Sequence, residues 1–129
     1  MLAVDTNVIV RYLTGDDAEQ FAKASALIRD EDVYVCTTLL LETEWVLRSA
    51  YRFGRERIVA ALAAFAGLPR VTLEDSASAA KALDWTKRGM DFADALHLAK
   101  AAGGDAFMSF DQHFAAVANT LSQVKVHAP

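Results

Sequence analysis

Five short apolar runs, Leu2-Ala3-Val4, Val33 to Cys36, Val71-Thr72-Leu73, Ala106 to Phe110 and Val124-Lys125-Val126, are spread along the chain with helix-length segments between most of them. Runs of this length bounded by turn signals read as strands. Strands joined through helices lie parallel, because a parallel pair needs a long crossover, and the helices then cover both faces of the sheet. The expected fold class is α/β, with a short central parallel sheet flanked by helices. Ligands bind such sheets just outside the carboxyl ends of the strands. The residues that follow each apolar run are therefore the first candidates for function.

The helical segments carry their own start and stop signals. Asp5-Thr6-Asn7 is suited to capping a helix over Val8 to Leu13, and Asp16 to Arg29 sets Phe21, Ala24, Leu27 and Ile28 among charges as an amphipathic helix does. Thr37 or Thr38 can cap a third helix that runs to about Phe53, where Gly54 ends it; Arg55 to Ala66 then forms a helical hairpin with it, stopped by Gly67 and Pro69. Ser76 to Lys87 closes at Gly89, Asp91 to Ala102 closes at Gly103-Gly104, and a last helix starts near Asp111, with Val124 to Val126 as an edge strand. No repeat, low-complexity tract or linker interrupts the chain, so residues 1–129 are expected to form a single domain.

Composition excludes several classes. The hydrophobic fraction of 53% is high, yet no apolar run reaches the roughly 20 residues that a membrane helix needs, so a cytoplasmic protein is expected. One cysteine, Cys36, gives neither an internal disulfide nor a multi-cysteine zinc site, and reads as a small hydrophobe after Val33-Tyr34-Val35. No Gly-x-Ser-x-Gly or phosphate-binding glycine loop is present. The net charge of −4 means that binding to nucleic acid would need a cation or a local basic patch.

The acids each have a plain structural account. Asp5 and Asp111 follow short apolar runs where helices begin, so both can be N-caps; parallel strands would also bring both to one edge of the sheet. Asp91 and Asp94 open Asp-Phe-Ala-Asp-Ala-Leu-His-Leu-Ala-Lys as a variant capping box. Capping suffices for Asp91, but Asp94 has no Lys or Arg at i+3 or i+4 to neutralise it. Glu44 has Arg48 at i+4, an ordinary surface pair of roughly 0.3 to 0.5 kcal/mol. Glu42 has Leu39, Trp45 and Val46 as its helical neighbours, and burial on that apolar stripe would need a partner from elsewhere. Glu42 is therefore read as functional and Glu44 as structural. His97 and His113 read as core or boundary residues.

Taken in order, Asp5-Thr6-Asn7, Leu41-Glu42-Thr43-Glu44-Trp45-Val46-Leu47, Asp91-Phe92-Ala93-Asp94-Ala95-Leu96-His97 and Ser109-Phe110-Asp111 resemble the four acidic blocks of PIN-domain nucleases, most closely the VapC-type branch. Each block is weak alone, and four in order over nearly the whole chain are specific. The resemblance implies the family's three-layer fold and carries its acids onto Asp5, Glu42, Asp94 and Asp111, with Asp91 as a fifth and Thr6, Asn7 and Ser109 as polar support. It further implies hydrolysis of RNA to a 5′-phosphate and a 3′-hydroxyl, a homodimer, and a VapB-like antitoxin that covers the active site.

Four clustered acids have a physical requirement of their own. Two carboxylates about 4 Å apart repel by roughly 4 kcal/mol at an effective dielectric near 20, so the cluster calls for a cation. Oxygen donors suit Mg²⁺, with Mn²⁺ able to substitute, and such a site can orient a water for in-line attack on phosphorus. Asp5 and Asp94 are the expected principal ligands, with Glu42 and Asp111 completing the cage or positioning the water. Arg48, Arg52, Arg55 and Arg57 gather at the tip of the helical hairpin, either as a solvated charged turn or as contacts to RNA phosphates. The rival readings are a non-catalytic helical interaction module, an RNA-processing PIN protein outside toxin–antitoxin systems, and an aspartyl-phosphate enzyme, against which Asn7 stands where a second acid is wanted.

Overall fold

A computed structural model describes residues 1–129, which divide into two compact units, Met1–Ser76 and Ala77–Pro129. In the first unit β1 (Leu2–Ala3), β2 (Val33–Val35) and β3 (Val71–Leu73) form a parallel sheet in the order β1-β2-β3. Leu2 faces Val33, and Val33 faces Val71. Two helices make each crossover: α1 (Thr6–Thr14) and α2 (Ala18–Asp30) join β1 to β2, and α3 (Thr37–Ser49) and α4 (Arg55–Ala66) join β2 to β3. All three strands run the same way because helical crossovers, not turns, connect them.

The core of this unit gathers Val4, Ile9, Ile28, Val33, Val35, Phe65 and Val71, with Tyr12, Leu27 and Leu73 packed around them. Ile9 and Val33 are wholly removed from water; a side chain of this kind contributes about 1.5–3 kcal/mol by its burial. α1 ends at Gly15, whose φ of 64° is the left-handed conformation that closes a helix; its N–H reaches the Arg11 carbonyl at 3.0 Å.

The second unit holds α5, which starts at the boundary (Ser76–Lys87), then α6 (Phe92–Lys100), β4 (Phe107–Met108), α7 (Gln112–Leu121) and β5 (Val126–His127). β4 and β5 pair in parallel as a ladder of their own, so the strands are divided between two sheets. Phe92, Leu96, Leu98, Phe114 and Val126 are buried here, and Phe107 meets Phe114 edge-on at 5.5 Å. Asn119 holds β5 in place: its amide donates to the Val126 carbonyl at 2.8 Å and its oxygen accepts the Val126 N–H at 2.9 Å. No helix of the chain is long and apolar enough to cross a membrane.

The fold class is the α/β one expected, and five local expectations change. α3 stops at Ser49 and not near Phe53, because Arg52 takes a left-handed φ of 56° and lets the Phe53 N–H bond the Leu47 carbonyl. Gly54 accordingly caps the start of α4 and does not end α3. Neither Thr37 nor Thr38 caps α3; Cys36 occupies that position, and the first N–H, on Thr37, is satisfied by Glu74 Oε1 at 2.8 Å from the end of β3. The fourth apolar run forms only a two-residue strand, and the fifth is shifted to Val126–His127, where its partner lies.

Candidate active site

In the first unit Asp5 lies just beyond β1 and caps α1, its Oδ1 accepting the Thr6 N–H at 2.7 Å. Asp5 and Asn7 are exposed, whereas Thr6 is buried and its hydroxyl has no hydrogen-bond partner, an unsettled polar atom directly beside Asp5. Glu74, just beyond β3, lies with Asp5 at the carboxyl edge of the same sheet. It was not among the sequence candidates, although an acid directly after a strand is the same signal that drew attention to Asp5.

The two glutamates of α3 reverse the expectation drawn from their neighbours. Glu42 is exposed and so is Trp45, at 57%, whereas Leu39 and Val46 are only half-buried, so this stripe does not bury Glu42. Glu44 is the buried one, its side chain 6% exposed, and Arg48 Nε donates to its Oε2 at 2.9 Å. The helix turns Thr43, Glu44 and Leu47 inward because Leu40 and Leu47 set the packed face. Glu42 keeps its candidacy by its place in the family pattern, as an acid free of any buried ion pair. Arg48 is bound to Glu44 and so has a structural role.

Arg52, Arg55 and Arg57 are exposed, and the Arg57 guanidinium lies 3.6 Å above the Phe53 ring. The base of this basic tip is fastened by a network that sequence spacing could not show. Tyr51 OH donates to Asp16 Oδ2 at 2.7 Å, Arg11 Nη1 donates to the Tyr51 oxygen at 2.9 Å and to Asp16 at 3.1 Å, and Arg11 Nε donates to Gln20 at 2.7 Å. The Tyr51 hydroxyl holds the Asp16 carboxyl below its ordinary range, and Asp16 raises the proton affinity of Arg11. Residues 35 and 40 positions away in sequence thus meet at one point.

In the second unit three acids come within electrostatic reach of one another. Asp91 caps α6, its Oδ2 accepting the Asp94 N–H at 3.3 Å, and Asp111 caps α7, its Oδ1 accepting the Phe114 N–H at 2.9 Å. Both capping roles foreseen for them are present. Ser109 Oγ accepts the Asp111 N–H at 3.0 Å. Burial, and then the charges of Asp91 and Asp111, push the Asp94 carboxyl above its ordinary value, while His97 pulls the other way. No salt bridge engages any of the three.

This is a surplus of negative charge that His97 offsets only in part. Each cap uses one carboxylate oxygen, which leaves the other for a ligand. No group of three or more acidic, histidine or cysteine side chains forms a ready-made metal cage.

The family model for the PIN domain matches residues 2–120. The chain belongs to the PIN-domain family. A single PIN-domain match therefore runs through both units and takes in all four acidic blocks. Among solved structures, this PIN-domain chain is similar to VapC20 of Mycobacterium tuberculosis, described as a sarcin–ricin loop cleaving toxin. The two are 25% identical, with a TM-score of 0.43, over 97% of this chain and 99% of that one. No curated protein matches the chain.

Proposed function

We propose that this PIN-domain protein is a Mg²⁺-dependent endoribonuclease that cleaves structured RNA in the cytoplasm, acting as a growth-inhibiting toxin of the VapC type and held in check by a VapB-like antitoxin. The observation that carries the catalytic reading is the trio of acids in the second unit that no salt bridge engages: Asp94 has its proton affinity raised by burial and by Asp91 and Asp111, in a chain that matches the PIN domain over residues 2–120. Asp5 and Glu42 are assigned to the metal-binding set from the family pattern. The toxin role, the antitoxin and a homodimer rest on the VapC-like form of the four acidic blocks.

A divalent cation bound to these acids would neutralise the phosphate they otherwise repel and increase the acidity of a water. The chain's own residues supply the rest. Water is partly withdrawn from Asp94 and two acids bear on it, so its charged form is disfavoured until a cation offsets that charge. Asp91 and Asp111 are held rigid by the backbone N–H groups they cap, and Ser109 fixes the turn into Asp111. Oxygens held in this way cost little ordering entropy when a ligand arrives.

The test is cleavage of a folded total-RNA pool by the purified protein with Mg²⁺, with EDTA, and with Asp94→Asn prepared identically, alongside thermal melts with and without Mn²⁺. Discrete metal-dependent cuts that the variant loses, with a Mn²⁺-induced rise in Tm that the variant lacks, support the assignment. At a free metal concentration about 100 times Kd the wild-type gain is about 2.7 kcal/mol. Equal cleavage by wild type and variant, or no metal response in either, refutes it.

A further inference from the structure

Resting on the ribonuclease reading, we infer that Phe110 is a stacking platform for an unpaired base of the RNA next to the scissile phosphate. It is the most exposed large hydrophobic residue of the chain, at 82%, and it directly precedes Asp111. Consecutive Cα atoms lie about 3.8 Å apart, so the ring is carried by the residue next to the acid that bears on Asp94.

The ring stands on anchored backbone. Ser109 N–H bonds the His127 carbonyl at 3.1 Å, Asp111 N–H bonds Ser109 Oγ at 3.0 Å, and Asp111 caps α7. The backbone that carries Phe110 is thus fixed on both sides. Phe107, three residues earlier, serves the core against Phe114, so the segment sends one ring inward and one outward.

A protein partner would need much more than this. Gln112 and His113 beside the ring are exposed and polar, and Met108 is the one other exposed large apolar side chain of this segment; a phenylalanine offers at most about 200 Å², and the two together fall well short of the roughly 800 Å² per side of a stable interface. An exposed π-face on anchored backbone next to acids assigned to phosphate chemistry matches the way unpaired bases are held, stacked on an aromatic ring while their backbone is read by charge.

The experiment measures binding of the full chain to folded hairpin RNAs carrying 2-aminopurine at successive unpaired positions, with Ca²⁺ in place of Mg²⁺ to suppress cleavage. Phe110→Ala is expected to raise Kd by roughly 5- to 150-fold and to abolish the fluorescence change at one position. Tm and the slope of log Kd against log salt should be unchanged, because stacking releases no counterions. Phe110→Trp should restore binding. Wild-type affinity in Phe110→Ala, a changed salt slope, or a loss of self-association in place of RNA affinity overturns the inference while leaving the nuclease intact. Absence of RNA binding by the wild type overturns both.

Discussion

Removing either member of the Glu44–Arg48 pair should have very different consequences, although sequence spacing treats the two residues alike. The Glu44 side chain is 6% exposed and that of Arg48 49% exposed, with Nε–Oε2 at 2.9 Å and Nη2–Oε1 at 3.4 Å. Arg48→Ala leaves a carboxylate withdrawn from water without its cation, and breaking a buried pair this way costs about 3–5 kcal/mol. Because the guanidinium lies half in solvent, water can follow into part of the vacated space, which brings the expected loss down to about 2–3 kcal/mol. Glu44→Gln leaves the half-solvated cation with an amide oxygen to bond and should cost about 1 kcal/mol or less. Urea unfolding of the two single variants, at equal m-values, measures the difference directly. At this chain length each kcal/mol corresponds to about 3–5 °C in Tm. If Glu44→Gln were the more damaging, or if both lay within about 0.5 kcal/mol of wild type, the assignment of Arg48 to a structural role would fall and it would return to the set of RNA contacts.

Asp94 has a raised proton affinity, so the folded state binds more protons than the unfolded one from its ordinary value of 3.8 up to its own raised value. Stability of the metal-free protein should therefore fall as pH climbs through that window and stay lowered above it; in Asp94→Asn, urea midpoints recorded in EDTA should lack that slope, and an identical slope would refute the assignment. Arg52 holds a left-handed φ of 56° that glycine adopts without strain. Arg52→Gly should raise stability by up to about 1 kcal/mol while weakening RNA binding and making its salt slope shallower, and filter binding across a salt series reads both effects.

The alternation of apolar runs with capped helical segments determined the fold class, because a strand joined through a helix has little choice but to lie parallel. The acids were legible for the same local reason: Asp5, Asp91 and Asp111 each stand where a helix begins, and their order along the chain carried the resemblance that the PIN-domain match over residues 2–120 bears out. What sequence could not decide was long-range. The buried glutamate of α3 is Glu44 and not Glu42, because packing around Leu40 and Leu47 sets the inward face and leaves Trp45 outside. The cap of α3 comes from Glu74, 37 residues away, and the basic tip is fastened through Tyr51 to Asp16, 35 residues away. Local patterns fix the conformation of a segment through its own backbone, whereas which side chains lose their water and which charges meet is set by tertiary packing among residues distant in the chain.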